Sequence, residues 1–253
     1  MLRRHLLAAL LLLPLAGPSP AAAAAINHQE QYRACVTLVY RQADAALESA
    51  RAWEAQGGGI YARHCMALAL FEQGELTQAA ERLEALAGDV PADGFVGAAE
   101  VLAQAANVWL LAGELARAGA ALDRAIARRP EDPALQVDKA RVLAEGGDYA
   151  GALAALDRAL AAAPEDDDAH AFRASALRHL GRPDEAFEAV ERALRLNTDN
   201  ASAWLERGLI HLARGNLPAA RLDLSTTRLR FDGTPAAEAA AAKLAEMEEA
   251  AGG

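Results

Sequence analysis

The chain has 253 residues, of which 35 are acidic and 25 basic, a net charge of −10. That balance disfavours the phosphate backbone of nucleic acid and anionic lipid as partners. Hydrophobic residues make up 53% but aromatic residues only 5%, so alanine supplies much of the apolar content. Alanine favours helix and close helix approach, and no β-rich run bounded by turn residues stands out. The expected fold class is all-α.

In chain order, the stretch MLRRHLLAALLLLPLAGPSPAAAAA comes first. It sets Arg3 and Arg4 before an apolar run from Leu6 to Leu13 and ends in small residues, Ala23 to Ala25. This is the three-part pattern of a secretory signal peptide over residues 1–25, with cleavage expected after Ala25. An uncleaved anchor is the alternative, although the apolar run is short for a bilayer span. The later chain offers no segment long and apolar enough to cross a membrane. It is therefore expected to be exported, to a bacterial periplasm, with no stable membrane insertion once the signal is cut. Loss of Arg3 and Arg4 takes the basic count from 25 to 23 against 35 acidic residues, a net of −12. Cys35 and Cys65 are the only cysteines, and an even count in an exported protein reads as one disulfide. Two buried thiols are the alternative.

Residues 27–59 hold the run ADAALESARAWEAQ, a helix closed by Gly57, Gly58 and Gly59. Beyond them the chain repeats. PEDPALQVD begins at Pro130 and PEDDDAHAF at Pro164, a spacing of 34 residues. Units set to that period start at Ala99, Pro133, Asp167 and Ala201. Position 8 is then Ala106, Ala140, Ala174 and Gly208; position 15 is Gly113, Gly147, Gly181 and Gly215; position 20 is Ala118, Ala152, Ala186 and Ala220. Position 24 is Leu122, Leu156, Val190 and Leu224, and position 27 is Ala125, Ala159, Ala193 and Thr227. Positions 4, 8 and 11 share one face of a first helix, and positions 20, 24 and 27 share one face of a second. Small residues at 8 and 20 let the two helices approach. Glycine at 15 suits a left-handed helix end. Proline at 32, present as Pro130 and Pro164, ends the second helix before the turn to the next unit.

The same register extends backwards over 60–93, with Ala67, Gly74, Ala79, Leu83 and Leu86 in the marked columns. The extra length before Ala99 falls in VPADGFVGA, a longer connection that costs little as a loop. Residues 27–59 form a weaker unit with Ala46, Ala50 and Trp53 at positions 20, 24 and 27. The expected organisation is the signal over 1–25, an array over 26–233 and a closing helix over 234–253. The array's units are 27–59, 60–93, 99–132, 133–166, 167–200 and 201–233. In this register Cys35 and Cys65 stand on first helices of adjacent units. The last segment begins with Thr234 as N-cap and Pro235 in the first turn. A polar-sided helix there would shield the end of the array.

At these residues the chain resembles the tetratricopeptide repeat family. Its large–small–large first helix and alanine–aliphatic–alanine second helix are matched through the units but for Thr227, and its closing proline is matched at Pro130 and Pro164, with Thr198 and Asp232 in the last two units. Trp204 and Gly208 stand where the family prefers those residue types, and Tyr149 follows Gly147 at the entry to a second helix. Position 7 departs from the usual leucine, as Ala105, Lys139, Arg173 and Arg207, and position 11 of the last unit is His211. The resemblance implies a right-handed α-solenoid of stacked antiparallel helix pairs, closed by a C-terminal capping helix. It also implies a concave wall, lined by first helices, that holds a peptide or partner protein. Its family positions here are Tyr61, His64, Phe71, Asn107, Val137, Arg141, Ser175, Arg178, His179, Leu205, Leu209 and Leu212, a polar middle with an apolar C-terminal end. Reversing Arg141 and Arg178 is expected to weaken binding. The family's carboxylate clamp would need Lys and Asn at positions 5 and 9, and Ala103 precedes Asn107, so the clamp is not expected.

Signatures of catalysis are missing: there is no nucleophile elbow, phosphate-binding glycine loop, paired CxxC or HExxH. His28, His64, His170, His179 and His211 are scattered singly, without the spacing of metal ligands. The run Glu165 to Asp168 lies at an inter-unit turn, where acidic residues favour a following helix N-terminus, and it lacks the ligand spacing of a calcium loop. No catalytic residue, metal or cofactor is expected. The functional reading is an exported interaction scaffold with a protein or peptide partner and no nucleic acid. The alternative is an accessory subunit of an envelope enzyme or assembly complex.

Overall fold

The computed structural model describes residues 27–91 and 97–252. The signal-like stretch 1–25 lies outside the described residues. Those residues form thirteen helices and no strand. In order they are α1 (His28–Val39), α2 (Ala43–Ala55), α3 (Gly59–Glu72), α4 (Leu76–Asp89), α5 (Ala98–Leu111), α6 (Leu115–Arg128) and α7 (Pro133–Glu145). Then follow α8 (Tyr149–Ala162), α9 (Asp167–His179), α10 (Pro183–Leu196), α11 (Ala201–Ala213), α12 (Leu217–Arg230) and α13 (Pro235–Gly252). Each helix packs on its neighbours in sequence or on the next but one. That is the contact pattern of a stack, in which each unit touches only the units beside it.

Local chemistry places the helix ends. The glycines at position 15, from Gly74 to Gly215, take φ between 72° and 79°, a left-handed conformation that a Cβ disfavours. The amide after each glycine reaches back to a carbonyl five residues earlier, as in Glu114 to Trp109 at 2.9 Å and Asp148 to Leu143 at 2.9 Å. This is the Schellman closure of a helix. The start of the next pair is set by a side chain at position 34. Asp132 caps α7 through the Ala134 amide (3.1 Å), Asp166 caps α9 through Ala169 (2.9 Å), and Asn200 caps α11 through Ala203 (2.8 Å). The recurring Pro-Glu-Asp therefore stops one helix with its proline and starts the next with its aspartate.

The core is thin and follows the stack as three clusters of buried side chains. Ala67, Ala106, Ala140 and Ala174 at position 8 are buried, as are Ala79, Ala118, Ala152, Ala186 and Ala220 at position 20. Leu83, Leu122, Leu156, Val190 and Leu224 are fully enclosed at position 24, each burial stabilising by about 2 kcal/mol. Gly208 replaces alanine because a Cβ there would come within 2.9 Å of the Leu224 side chain. At the far end α13 packs on α11 and α12. It starts where Thr234 Oγ1 accepts the Ala237 amide (3.2 Å), and it buries Ala236, Ala237, Ala240 and Leu244 against the last pair.

Candidate partner-binding surface

The first helices α5, α7, α9 and α11 line up, so residues one period apart become neighbours on one wall. At its middle, Arg141 on α7 reaches Asp138 one turn back, at 3.4 Å. Asn107 on α5 also hydrogen-bonds the Asp138 carboxyl. Burial raises the Asp138 pKa, and Arg141 and Asn107 pull it back down. One helix on, Arg178 holds Glu206 of α11 through two contacts, at 2.8 and 3.3 Å. The Nη2 that reaches Glu206 Oε1 also lies 3.2 Å from His179 Nε2. The His179 ring is parallel to Tyr149 at 4.1 Å between centroids. Burial, and then the Arg178 charge, lower the His179 pKa. The ring is thus neutral at ordinary pH and Nε2 can accept from Arg178.

Between α7, α8 and α9 the small residues leave a recess of about 60 Å³. Ala140, Ala144, Ala152, Leu156, Phe172 and Ala176 form its apolar lining, with Arg141 and Ser175 beside them. An apolar hollow with a cation and a hydroxyl alongside matches a small aliphatic side chain that has a carboxylate or carbonyl close by.

The ends of the wall differ from the expected surface. His64 is only 3% exposed, and both ring nitrogens are engaged, Nδ1 with Tyr32 Oη (2.6 Å) and Nε2 with Gln104 Oε1 (2.7 Å). It joins α1, α3 and α5 rather than facing outward. Tyr61 is half-buried in the same cluster, 5.9 Å from both His28 and Tyr32. Phe71 is half-buried against the core, and Val137 packs on the cluster around α8 and α9. Leu205 and Leu209 rest on the cluster of Leu224, Ala240 and Leu244, and Leu212 is half-buried. The expected apolar end of the groove is thus a seat for the closing helix, because the last first helix of a stack still needs a cover. Asn107, Arg141, Ser175, Arg178 and His179 remain together in the middle, with Arg178 committed to Glu206.

A second set of residues gains meaning only in three dimensions. Lys139, Arg173 and Arg207, the departures at position 7, each pair with an acid sixteen residues earlier. The contacts are Lys139–Asp123 at 2.9 Å, Arg173–Asp157 at 2.8 Å and Arg207–Glu191 at 3.0 Å. All three acids stand at position 25 of the preceding unit, so the pairs tie each second helix to the next first helix. The recurrence of opposite charges at positions 7 and 25 was the available signal. In the acidic run, Asp166 is engaged as a cap, and Asp167 and Asp168 accept the Asn200 amide nitrogen at 2.7 and 2.8 Å. Among the described residues no group of three His, Cys, Asp or Glu is placed to hold a metal ion. No described helix is long and apolar enough to cross a membrane.

The profile of the tetratricopeptide repeat matches residues 66–133, 137–201 and 188–226, more than half of the chain. The chain belongs to the tetratricopeptide repeat family. Tetratricopeptide repeat proteins mediate protein–protein interaction, and the first-helix wall above is where these repeats align. No curated protein matches the chain. Among solved structures it is similar to PilW, described as a widely conserved type IV pilus biogenesis factor. The identity is 20% and the TM-score 0.66, over 83% of this chain and 96% of that one. It is also similar to MamA from Desulfovibrio magneticus RS-1, with 20% identity and a TM-score of 0.58 over 70% of this chain and 98% of that one. A third likeness is to the Cut9–Hcn1 hetero-tetramer of the APC/C, with 16% identity and a TM-score of 0.61 over 85% of this chain and 45% of that one. At these identities the likeness carries the tetratricopeptide fold alone.

Proposed function

We propose that the chain is an exported adaptor that holds a peptide or an extended segment of a partner protein across the first helices α5, α7 and α9. In this reading residues 1–25 are a cleaved signal, the array begins after them, and Cys35 and Cys65 are oxidised in the envelope. The protein works by binding rather than by catalysis. The wall's carboxylates support this, since Asp138 and Glu206 are both engaged by arginines. The observation that carries the reading is the recess beside Arg141 and Ser175, an apolar hollow next to polar side chains on consecutive first helices.

The experiment is selection from a random peptide library on the mature protein. Selected peptides are expected to share a small aliphatic residue next to an acidic one. Arg141→Ala is expected to weaken the best of them about ten-fold, the scale of one charge-assisted contact. Its melting temperature should stay near wild type, because Arg141 is exposed and among the described residues its ion pair is the long one to Asp138. Peptides without that pattern, or binding indifferent to Arg141→Ala, would reject this placement of the site.

A further inference from the structure

The opposite side of the array carries a feature that the groove does not use. Six large hydrophobic side chains are exposed among the described residues, and three are on α12: Leu217, Leu222 and Leu229, the last two at 67% and 72%. Leu222 and Leu229 are at positions 22 and 29 of their unit. In the other units these outward positions are Glu81 and Gly88, Ala120 and Ala127, Ala154 and Ala161, and Glu188 and Arg195. Every one of those is small or charged and exposed. Only the last second helix has leucine at both.

The spacing adds to the exposure. The buried face of α12 is Ala220, Asp223, Leu224 and Thr227. At 100° per residue the opposite crest carries Pro218, Leu222, Ser225 and Leu229. Those intervals of four, three and four residues are the spacing of a coiled-coil seam. Arg221 and Arg228, themselves seven apart, run along one side of it. Arg221 has only Glu248 at 3.8 Å, and no ion pair of Arg228 is found among the described residues. From Pro218 to Leu229 the crest is about 16 Å long, which matches roughly three turns of a second helix.

We infer that this crest is a docking surface distinct from the groove. Its occupant is one amphipathic α-helix of a partner protein, with aliphatic residues at heptad spacing and glutamate or aspartate facing Arg221 and Arg228. An isolated exposed leucine is ordinary; two on one seam beside two exposed arginines, one of them held only by the 3.8 Å pair to Glu248, specify both the apolar and the charged half of a partner. A second copy of this chain supplies neither charge. In an antiparallel self-pair Arg221 meets Arg228, and in a parallel one each arginine faces the flank of Thr226. The overall charge of −10 likewise disfavours an anionic lipid surface.

The test uses the mature chain and two synthetic helical peptides of about three heptads, identical in their leucines but flanked by glutamate in one and lysine in the other. Fluorescence anisotropy is expected to show the glutamate peptide binding at least about ten-fold more tightly, with the difference shrinking as salt is raised. Leu222→Ala with Leu229→Ala is expected to cut that binding about ten-fold or more. Arg221→Glu with Arg228→Glu is expected to move the preference to the lysine peptide. Circular dichroism checks that the exposed substitutions leave the helix content intact. The proposal is overturned by any of four results: no binding of the glutamate peptide, equal affinity for both peptides, a leucine-dependent dimer in sedimentation, or leucine-dependent binding to mixed phosphatidylcholine and phosphatidylglycerol vesicles in place of the peptide.

Discussion

His64 shows how a single ring can set the pH response of one end of the stack. Tyr32 is pushed up to about 12, chiefly by burial, so its hydroxyl stays protonated and donates to His64 Nδ1. The other nitrogen then carries the proton and donates to Gln104 Oε1. A protonated ring would lose the acceptor that Tyr32 uses. Burial lowers the His64 pKa, with the Gln104 hydrogen bond and the Glu100 charge acting the other way. Because the folded pKa lies below the unfolded one, the unfolded chain takes up the proton first. The stabilisation is complete above about pH 6.5 and is lost as pH falls through that value toward the folded pKa. Asp138, raised by burial, has the opposite sign and acts in the lower carboxylate range. The melting temperature is therefore expected to fall on acidification from pH 7.5 to 5.5, and His64→Gln is expected to flatten that slope. Parallel slopes for the two proteins would assign the pH response to other groups.

At the scale of helices, the pairs between positions 7 and 25 separate exposed electrostatics from buried electrostatics. Arg173 and Asp157 are 28% and 53% exposed, and such a pair contributes about 0.2–1 kcal/mol. Arg207 instead reaches Glu191 and also grips Asp223, whose side chain is 6% exposed, through contacts of 2.8 and 2.9 Å. Removing Arg207 strands a buried carboxylate, which costs about 3–5 kcal/mol. Urea denaturation is expected to find Arg207→Ala destabilised by at least about 3 kcal/mol and Arg173→Ala by less than about 1 kcal/mol. Similar losses would mean that Asp223 is rescued by His211, 3.7 Å away, or by water. The same contrast explains what was legible in the chain. Helix ends and period depend on neighbours along the sequence, so the glycine column, the Pro-Glu-Asp turns and the Thr234 start could be read from it. Lys139, Arg173 and Arg207 registered only as departures from leucine, because their partners belong to the unit before. Position within a repeat gives direction, and so points His64, Leu205 and Leu209 at the open wall. Whether that direction ends in solvent depends on Tyr32, Gln104 and α13, which no repeat position specifies.

Over the whole molecule, stability is a chain of neighbour contacts rather than one shared core, so a constraint at one end should be felt mainly at that end. Cys35 on α1 and Cys65 on α3 are joined in the structure, with their Cα atoms 6.3 Å apart and a sequence separation of 30. By loop entropy alone such a bridge stabilises by about 3–4 kcal/mol. The His28, Trp53, Tyr61 and Tyr32 rings also pack on one another across these helices, which makes α1 to α3 a clasped unit. Alkylation and mass measurement with and without reductant will report whether the bridge forms in the protein as isolated. If it does, Cys35→Ser with Cys65→Ser is expected to raise amide hydrogen exchange in α1 to α3 by a hundred-fold or so, while α7 to α12 exchange as before. An increase shared evenly from α1 to α12 would instead mean that the pairs unfold as a single unit, and that the interfaces between them are strong enough to carry a local loss along the whole length.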